Sequence, residues 1–181
     1  QALTGCGATG VMLKWPNDIL VGEAKLGGIL IELLADDEAV KAVIGIGLNL
    51  RLPESIGPTN AVALPPAALE GIVPVPVDRH VVLAALLSEL ATVLDCVSRE
   101  GFAGLQKSWH GCHAWQGRPV RLLREGRVEA EGVCVGADVD GALLVRTING
   151  VARFLAGGVS VRRKCSWPLT LAAREASGDC S

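Results

Sequence analysis

The chain contains no tyrosine, two phenylalanines and one methionine in 181 residues, so its core must be built from aliphatic side chains. Charge is also sparse: a fifth of the residues are charged and half are apolar, a balance that supports a buried core and excludes an intrinsically disordered chain. No uninterrupted apolar run approaches the roughly 18 residues of a membrane-spanning helix, so no such helix and no membrane association are expected. A charged leader followed by an apolar signal core is missing from the start. The six cysteines (Cys6, Cys96, Cys112, Cys134, Cys165, Cys180) include no C-x-x-C pair. A disulfide-stapled secreted domain would be smaller and denser in cysteine, so a reduced, cytoplasmic protein is expected. The first residue is Gln1 rather than methionine, and the expectation is that the natural N-terminus lies upstream.

What is present is unevenly distributed. Residues 1–98 carry five Lys/Arg against eleven Asp/Glu, and residues 99–164 carry eleven against six. The second half is mildly basic, short of a nucleic-acid signature. Short strands are predicted over Val11–Trp15 and Ile19–Val21, around a Pro16-Asn17-Asp18 corner, and over Gly28–Leu34 and Ala42–Leu50. Six prolines between residues 51 and 78 mark a long loop with one helical turn near Ala67–Glu70. Val81–Ser98 is the clearest helix, with Val82, Leu83, Leu86, Leu87, Leu90, Val93, Leu94 and Val97 on one stripe and Gly101 as its stop. A shorter helix follows near Gly104–Trp109. From Arg118 the texture changes to five short strands, separated by Glu125-Gly126, Asp138–Gly141, Asn149-Gly150 and Gly157-Gly158. This pattern predicts a small closed or half-closed barrel.

Two stretches carry chemistry: Lys14-Trp15-Pro16-Asn17-Asp18 and Lys25-Leu26-Gly27-Gly28-Ile29-Leu30-Ile31-Glu32. An ammonium beside a Gly-Gly backbone can neutralise a phosphate and stabilise charge that develops during nucleotidyl transfer. Lys25 is therefore either that group or a solvated turn lysine, and Lys14 is either similar or a strand-end surface residue. Asp18 is either a Mg²⁺ ligand, since Mg²⁺ takes one or two carboxylates plus phosphate oxygens, or ordinary turn chemistry after proline. Asn17 either orients a ligand or caps the corner, and Trp15 either packs or stacks on a ligand. Gly45-x-Gly47-x-Asn49 lacks the third glycine of a dinucleotide fingerprint; the polar Asn49 ending an apolar strand is its more informative member. His110, Cys112 and His113 lie too close in sequence to converge readily on zinc, and no second cluster accompanies them.

These elements, in order and spacing, resemble the biotin protein ligases of the biotin/lipoate ligase superfamily. The match comprises Lys14–Asp18, Lys25–Glu32, Ile44–Asn49 and the barrel segment Gly157–Arg162, and it runs from about residue 8 to 164. The resemblance implies an α+β fold: part of a mixed-sheet catalytic domain over residues 1–113, an SH3-like barrel over 114–164, and a disordered tail over 165–181. It implies an ATP-dependent ligase that forms biotinyl-5′-adenylate from biotin and MgATP and passes biotin to a lysine of a biotin carboxyl carrier protein. By position, Lys25 and Asp18 become the catalytic pair, with Asp18 near the metal. Asn17, Trp15 and Gly28 then bind biotin, while Asn49 and Arg162 face the nucleotide.

One departure is expected to matter. The family carries an Arg/Gly-rich adenylate-binding loop well before its Lys-Trp-Pro-Asn-Asp, and no such loop stands in the thirteen residues before Lys14. The chain is accordingly expected to be a C-terminal piece with little ligase activity alone. A homodimer fits the family, and nucleic-acid binding would require a DNA-binding domain upstream. Two other readings stay open: a non-catalytic module docking a carrier protein or nucleic acid, and a lipoate- or acyl-transferring relative.

Overall fold

The computed structural model of the chain describes residues 1–35, 40–54 and 64–163. The centre of the long loop and the tail lie outside the described residues. The fold is α+β with two antiparallel sheets. The first runs β1 (Val11–Lys14), β2 (Asp18–Val21), β3 (Ala24–Ala35) and β4 (Val40–Leu48), in that spatial order. The second contains β5 (Pro119–Arg124), β6 (Arg127–Ala137), β7 (Leu143–Thr147), β8 (Gly150–Phe154) and β9 (Val159–Arg163), ordered β8-β7-β6-β5-β9. Every ladder is antiparallel. The parallel pairs expected of a mixed sheet occur among the described residues as two isolated bridges, Leu13 with His113 and Lys25 with Pro66. No ladder joins β8 to β9 among the described residues, so backbone pairing does not close the second sheet into a complete barrel.

Local chemistry accounts for most boundaries. Glu125 and Gly126 both adopt positive φ, +51° and +78°, and connect β5 to β6 as a tight two-residue hairpin. The Asn149-Gly150 signal is shifted by one position, because Thr147 pairs with Gly150 and leaves Ile148 and Asn149 as the loop. A short helix, α1 (Ala2–Gly5), precedes the first sheet without a side-chain cap, and its four residues are too few to leave a periodic trace in the sequence. Helix α2 (Arg79–Glu100) starts where the Asp78 carboxylate accepts the His80 N–H at 2.8 Å and ends at Gly101, whose φ is +66°. Helix α3 (Ala103–Cys112) then leads to the second sheet.

The apolar stripe of α2 does not become core. Val82 is its buried member, and Leu83 and Leu87 are more than half exposed, because α2 packs on α1 and α3 rather than across a sheet. Its length and mean hydropathy of 1.9 would suffice to cross a membrane. Glu89 near its middle would be costly in hydrocarbon, and much of its apolar face is exposed.

Two cores result. One gathers Leu3, Ile19, Leu26, Leu69 and Val82 around the first sheet. The other gathers Trp115, Val120, Leu122, Leu143 and Val145, and it takes in Trp15 from the first sheet's hairpin. The Trp15 indole N–H donates to the Gly141 carbonyl at 3.1 Å, the Ala114 N–H donates to the Leu13 carbonyl at 2.8 Å, and Arg163 pairs with Glu23. These contacts fix one sheet against the other and place β9 beside the β1–β2 corner.

Candidate active site

The ladder registers align one row of residues across the first sheet. Lys14 pairs with Asp18, Asp18 with Gly28, and Gly28 with Gly47. Residues paired across strands share a face, so two charged side chains lead onto two positions without side chains. Lys25 joins this face through a bulge. Ile19 pairs with Gly27 and Leu20 with Lys25, which leaves Leu26 unpaired. In an unbroken strand, positions three apart would face opposite ways; the extra residue restores Lys25 to the side of Gly28. Leu26 points inward and is fully buried. The Lys25 backbone is gripped on its other side, donating to the Pro65 carbonyl at 2.7 Å and accepting from the Ala67 N–H at 2.8 Å.

Asp18 bridges two ammonium groups. Lys14 Nζ lies 2.5 Å from Oδ2 and Lys25 Nζ lies 2.5 Å from Oδ1. The environments differ: the Lys14 side chain is 4 % exposed and the Lys25 side chain 47 % exposed. Burial of the Lys14 ammonium pushes its pKa down, opposed by its contact with Asp18 and reinforced by the charges of Arg162 and Lys25. Burial also pushes the Asp18 carboxyl up, but the hydrogen bonds and charges of both lysines outweigh it and hold the carboxyl below the usual range. Arg162 reaches this corner from β9, and its buried Nε–H has no hydrogen-bond partner among the described residues. A cleft of about 370 Å³ is lined by Lys14, Asn17, Asp18, Lys25, Ser160 and Arg162. Three cationic groups face one carboxylate there, so the local field favours negative charge.

Beside it runs an apolar trough of about 550 Å³, lined by Asn17, Gly28, Leu30, Gly45, Ile46 and Gly47. A side chain at Gly28 would begin 3.3 Å from the Asn17 carbonyl oxygen and 3.6 Å from Lys25 Nζ. Its glycine therefore keeps the passage between trough and cleft clear.

Of the residues singled out in the sequence, Lys25, Asp18, Asn17, Gly28 and Arg162 converge here. Trp15 does not: it is 5 % exposed and packed in the second sheet's core. Asn49 lines an adjoining hollow of about 620 Å³ with Lys25, Gly28, Gly47 and Pro66, and its carboxamide N–H₂ donates to the Ala67 and Lys25 carbonyls at 3.0 and 3.3 Å. It thus pins the segment that grips Lys25. A Mg²⁺ ion on Asp18 does not fit this arrangement, since both carboxylate oxygens already hold ammonium groups and the surroundings are cationic. Among the described residues, no group of three or more His, Cys, Asp and Glu side chains could hold a metal. His113 is buried and stacked on Trp109 at 4.4 Å, and His110 Nε2 accepts the Ala137 N–H at 2.9 Å. The depth of Lys14 was hidden in the sequence; its pairing with Asp18 across a tight hairpin was the available signal.

Residues 3–49, which hold this row, match the model of the Biotin/lipoate A/B protein ligase family. Over this stretch the chain is similar to that family. Over 166 residues it is 32 % identical to the bifunctional ligase/repressor BirA of Escherichia coli, covering 90 % of this chain and 50 % of BirA. Over 143 residues it is 34 % identical to the biotin–[acetyl-CoA-carboxylase] ligase of Paracoccus denitrificans, covering 78 % of this chain and 59 % of the relative. Among solved structures, the biotin protein ligase of Aquifex aeolicus in complex with biotin and ATP superimposes with a TM-score of 0.72 at 30 % identity, covering 85 % of this chain and 62 % of that one. The chain thus spans between half and two thirds of the length of these relatives.

Proposed function

We propose that the cleft holds the carboxyl–phosphoryl junction of biotinyl-5′-adenylate, as part of an ATP-dependent ligase that biotinylates a lysine of a biotin carboxyl carrier protein. The observation that carries this reading is the convergence of Lys14, Lys25 and Arg162 on Asp18, next to a glycine-floored apolar trough. In the first step a biotin carboxylate oxygen attacks the α-phosphorus of ATP and pyrophosphate leaves. In the second, the acceptor amine attacks the acyl carbon and AMP leaves. Lys25, half exposed and aimed at the Gly28 passage, neutralises the carboxylate and the α-phosphate. Asp18 holds that ammonium in place. Arg162 meets the nucleotide from the second sheet with a guanidinium that has an unused buried donor. The trough takes the apolar part of biotin over Gly28, and Asn17 borders its mouth.

Residues 1–113 then supply one wall of a ligase domain and residues 114–164 an SH3-like unit that delivers Arg162. The four described cysteines are free thiols, in keeping with a reducing cytoplasmic setting. The 181 residues alone are proposed to turn over little, because Leu30 at the trough is 59 % exposed and an open trough leaves the mixed anhydride to water.

Isothermal titration of the chain with biotinyl-5′-adenylate tests the reading. Binding that weakens about ten-fold in Lys25→Gln supports it, as expected for loss of a charge-assisted contact. Wild-type chain that ignores the adenylate while retaining an acidic carrier protein would instead establish a non-catalytic docking module. Carrier biotinylation by the purified chain alone would overturn the proposal of low turnover.

A further inference from the structure

We propose that Trp115 is a positioning residue of this cleft, acting through Lys14: its indole face seats the buried ammonium that fixes Asp18 and thereby Lys25. The proposal rests on the ligase reading of the cleft and adds a residue from outside the sheet that carries the motif.

Lys14 Nζ lies 5.2 Å from the centroid of the Trp115 ring. Both side chains are nearly sealed, each 4 % exposed. An ammonium carries three N–H donors, and the recorded partners of this one are Asp18 Oδ2 and the ring. A desolvated cation gains more from an aromatic face than an exposed one does. The face therefore offsets part of the cost of burying Lys14 close to Arg162, a like charge on β9. Lys25 is the opposite case, a flexible half-exposed side chain whose direction is set by one carboxylate oxygen. That oxygen is aimed because its twin is held by Lys14, which the ring holds in turn.

The ring is fixed by the junction between the sheets. The Trp115 carbonyl accepts the Arg118 N–H at 3.0 Å, and the preceding Ala114 N–H donates to Leu13, the residue before Lys14. Seating of the second sheet is thus coupled to the aim of Lys25. A tryptophan that merely filled the core would make the same apolar contacts with Val120 or Val145 and would have no influence on Lys25.

The test uses the whole chain and two readouts: acylation of Lys25 by acetic anhydride, measured by peptide mass spectrometry against exposed Lys107, and affinity for biotinyl-5′-adenylate. Trp115→Leu keeps apolar bulk but removes the ring face. It is expected to raise the relative acylation of Lys25 about five-fold and to weaken the adenylate by a similar factor, while Trp115→Phe stays close to wild type. Lys14→Met is expected to reproduce Trp115→Leu, and the two together should be no worse than either alone. Unchanged Lys25 reactivity in Trp115→Leu, or effects of the two substitutions that add in full, would overturn the proposal. If Trp115→Leu fails to fold, the contrast of Trp115→Phe and Lys14→Arg with Lys14→Met decides on the same criterion. Wild-type chain that fails to bind the adenylate would refute the ligase reading, and the acylation ratios would still support or overturn the positioning role of Trp115.

Discussion

Replacing Asp18 by Asn removes the charge that two lysines share and leaves the shape intact. Lys14 is the partner that matters for stability, because its side chain is 4 % exposed and Asp18 is 13 % exposed. Breaking a buried pair by removing one charge costs about 3–5 kcal/mol. Lys25, at 47 % exposed, adds at most about 1 kcal/mol. Because Asp18 is not fully sealed and Asn keeps some hydrogen bonding, the expected loss is about 2–4 kcal/mol at pH 7. The pH dependence follows from linkage. The folded Asp18 pKa is depressed, so the stability it contributes is complete above the ordinary value of 3.8 and is lost as pH falls through the lower folded value. The gap between wild type and Asp18→Asn should therefore narrow on acidification through that range. At the alkaline end the sign favours the variant. Lys14 is also depressed, from 10.5, so the folded state gains as pH rises towards that value and the stranded ammonium loses its proton. Urea unfolding followed by tryptophan fluorescence at several pH values measures the gap. A difference below about 0.5 kcal/mol at pH 7, within the ordinary range for surface substitutions, or one that stays constant on acidification, would refute the assignment of Asp18 as the counter-ion of a buried lysine.

Two further outcomes are expected. Gly28→Val places its first side-chain carbon 3.3 Å from the Asn17 carbonyl oxygen and 3.6 Å from Lys25 Nζ; it should cost about 1–3 kcal/mol of stability while weakening biotinyl-5′-adenylate at least about ten-fold in calorimetry, and retained affinity would exclude a ligand lying over that glycine. His113 is held neutral by burial, aided by the charge of His110 against a hydrogen bond with Gln116, and its pKa is lowered from 6.5 to about 4; its contribution is complete above 6.5 and falls by about 2–3 kcal/mol as pH drops towards 4, so a stability–pH curve unchanged in slope by His113→Phe would contradict that burial.

Much of this was legible along the chain. Helix α2 announces itself through a 3.6-residue stripe and Gly101, and each strand of the second sheet lies between turn residues, as Glu125-Gly126 shows. The motif Lys14–Asp18 with Lys25 and Gly28 marked residues that the fold brings together at one corner. These signals are local: backbone preference and hydrophobic period act over a few residues, and the sequence states both directly.

Assigning roles within the corner needed the tertiary structure. Lys14 and Lys25 look alike in the sequence, yet one is sealed beneath Trp115 and the other is half in water, because the second sheet covers β1 and leaves the bulged start of β3 open. Trp15 reads as a neighbour of the ligand, but its indole is drawn into the other sheet's core by the Gly141 carbonyl. Asn49 ends a strand like a ligand-facing residue, but its donors hold the loop that grips Lys25. A bulge of one residue at Leu26 decided that Lys25 and Gly28 face the same cleft. Local backbone preference and hydrophobic period set the strands, the helix and the tight corner that carries Lys14, Asp18 and Lys25. Which charges are buried, which side chains are already spent and which sheet supplies Arg162 depended on packing between segments distant in the sequence, 18 residues apart for Asn49 and Ala67 and 126 for Trp15 and Gly141, where no local period carries the information.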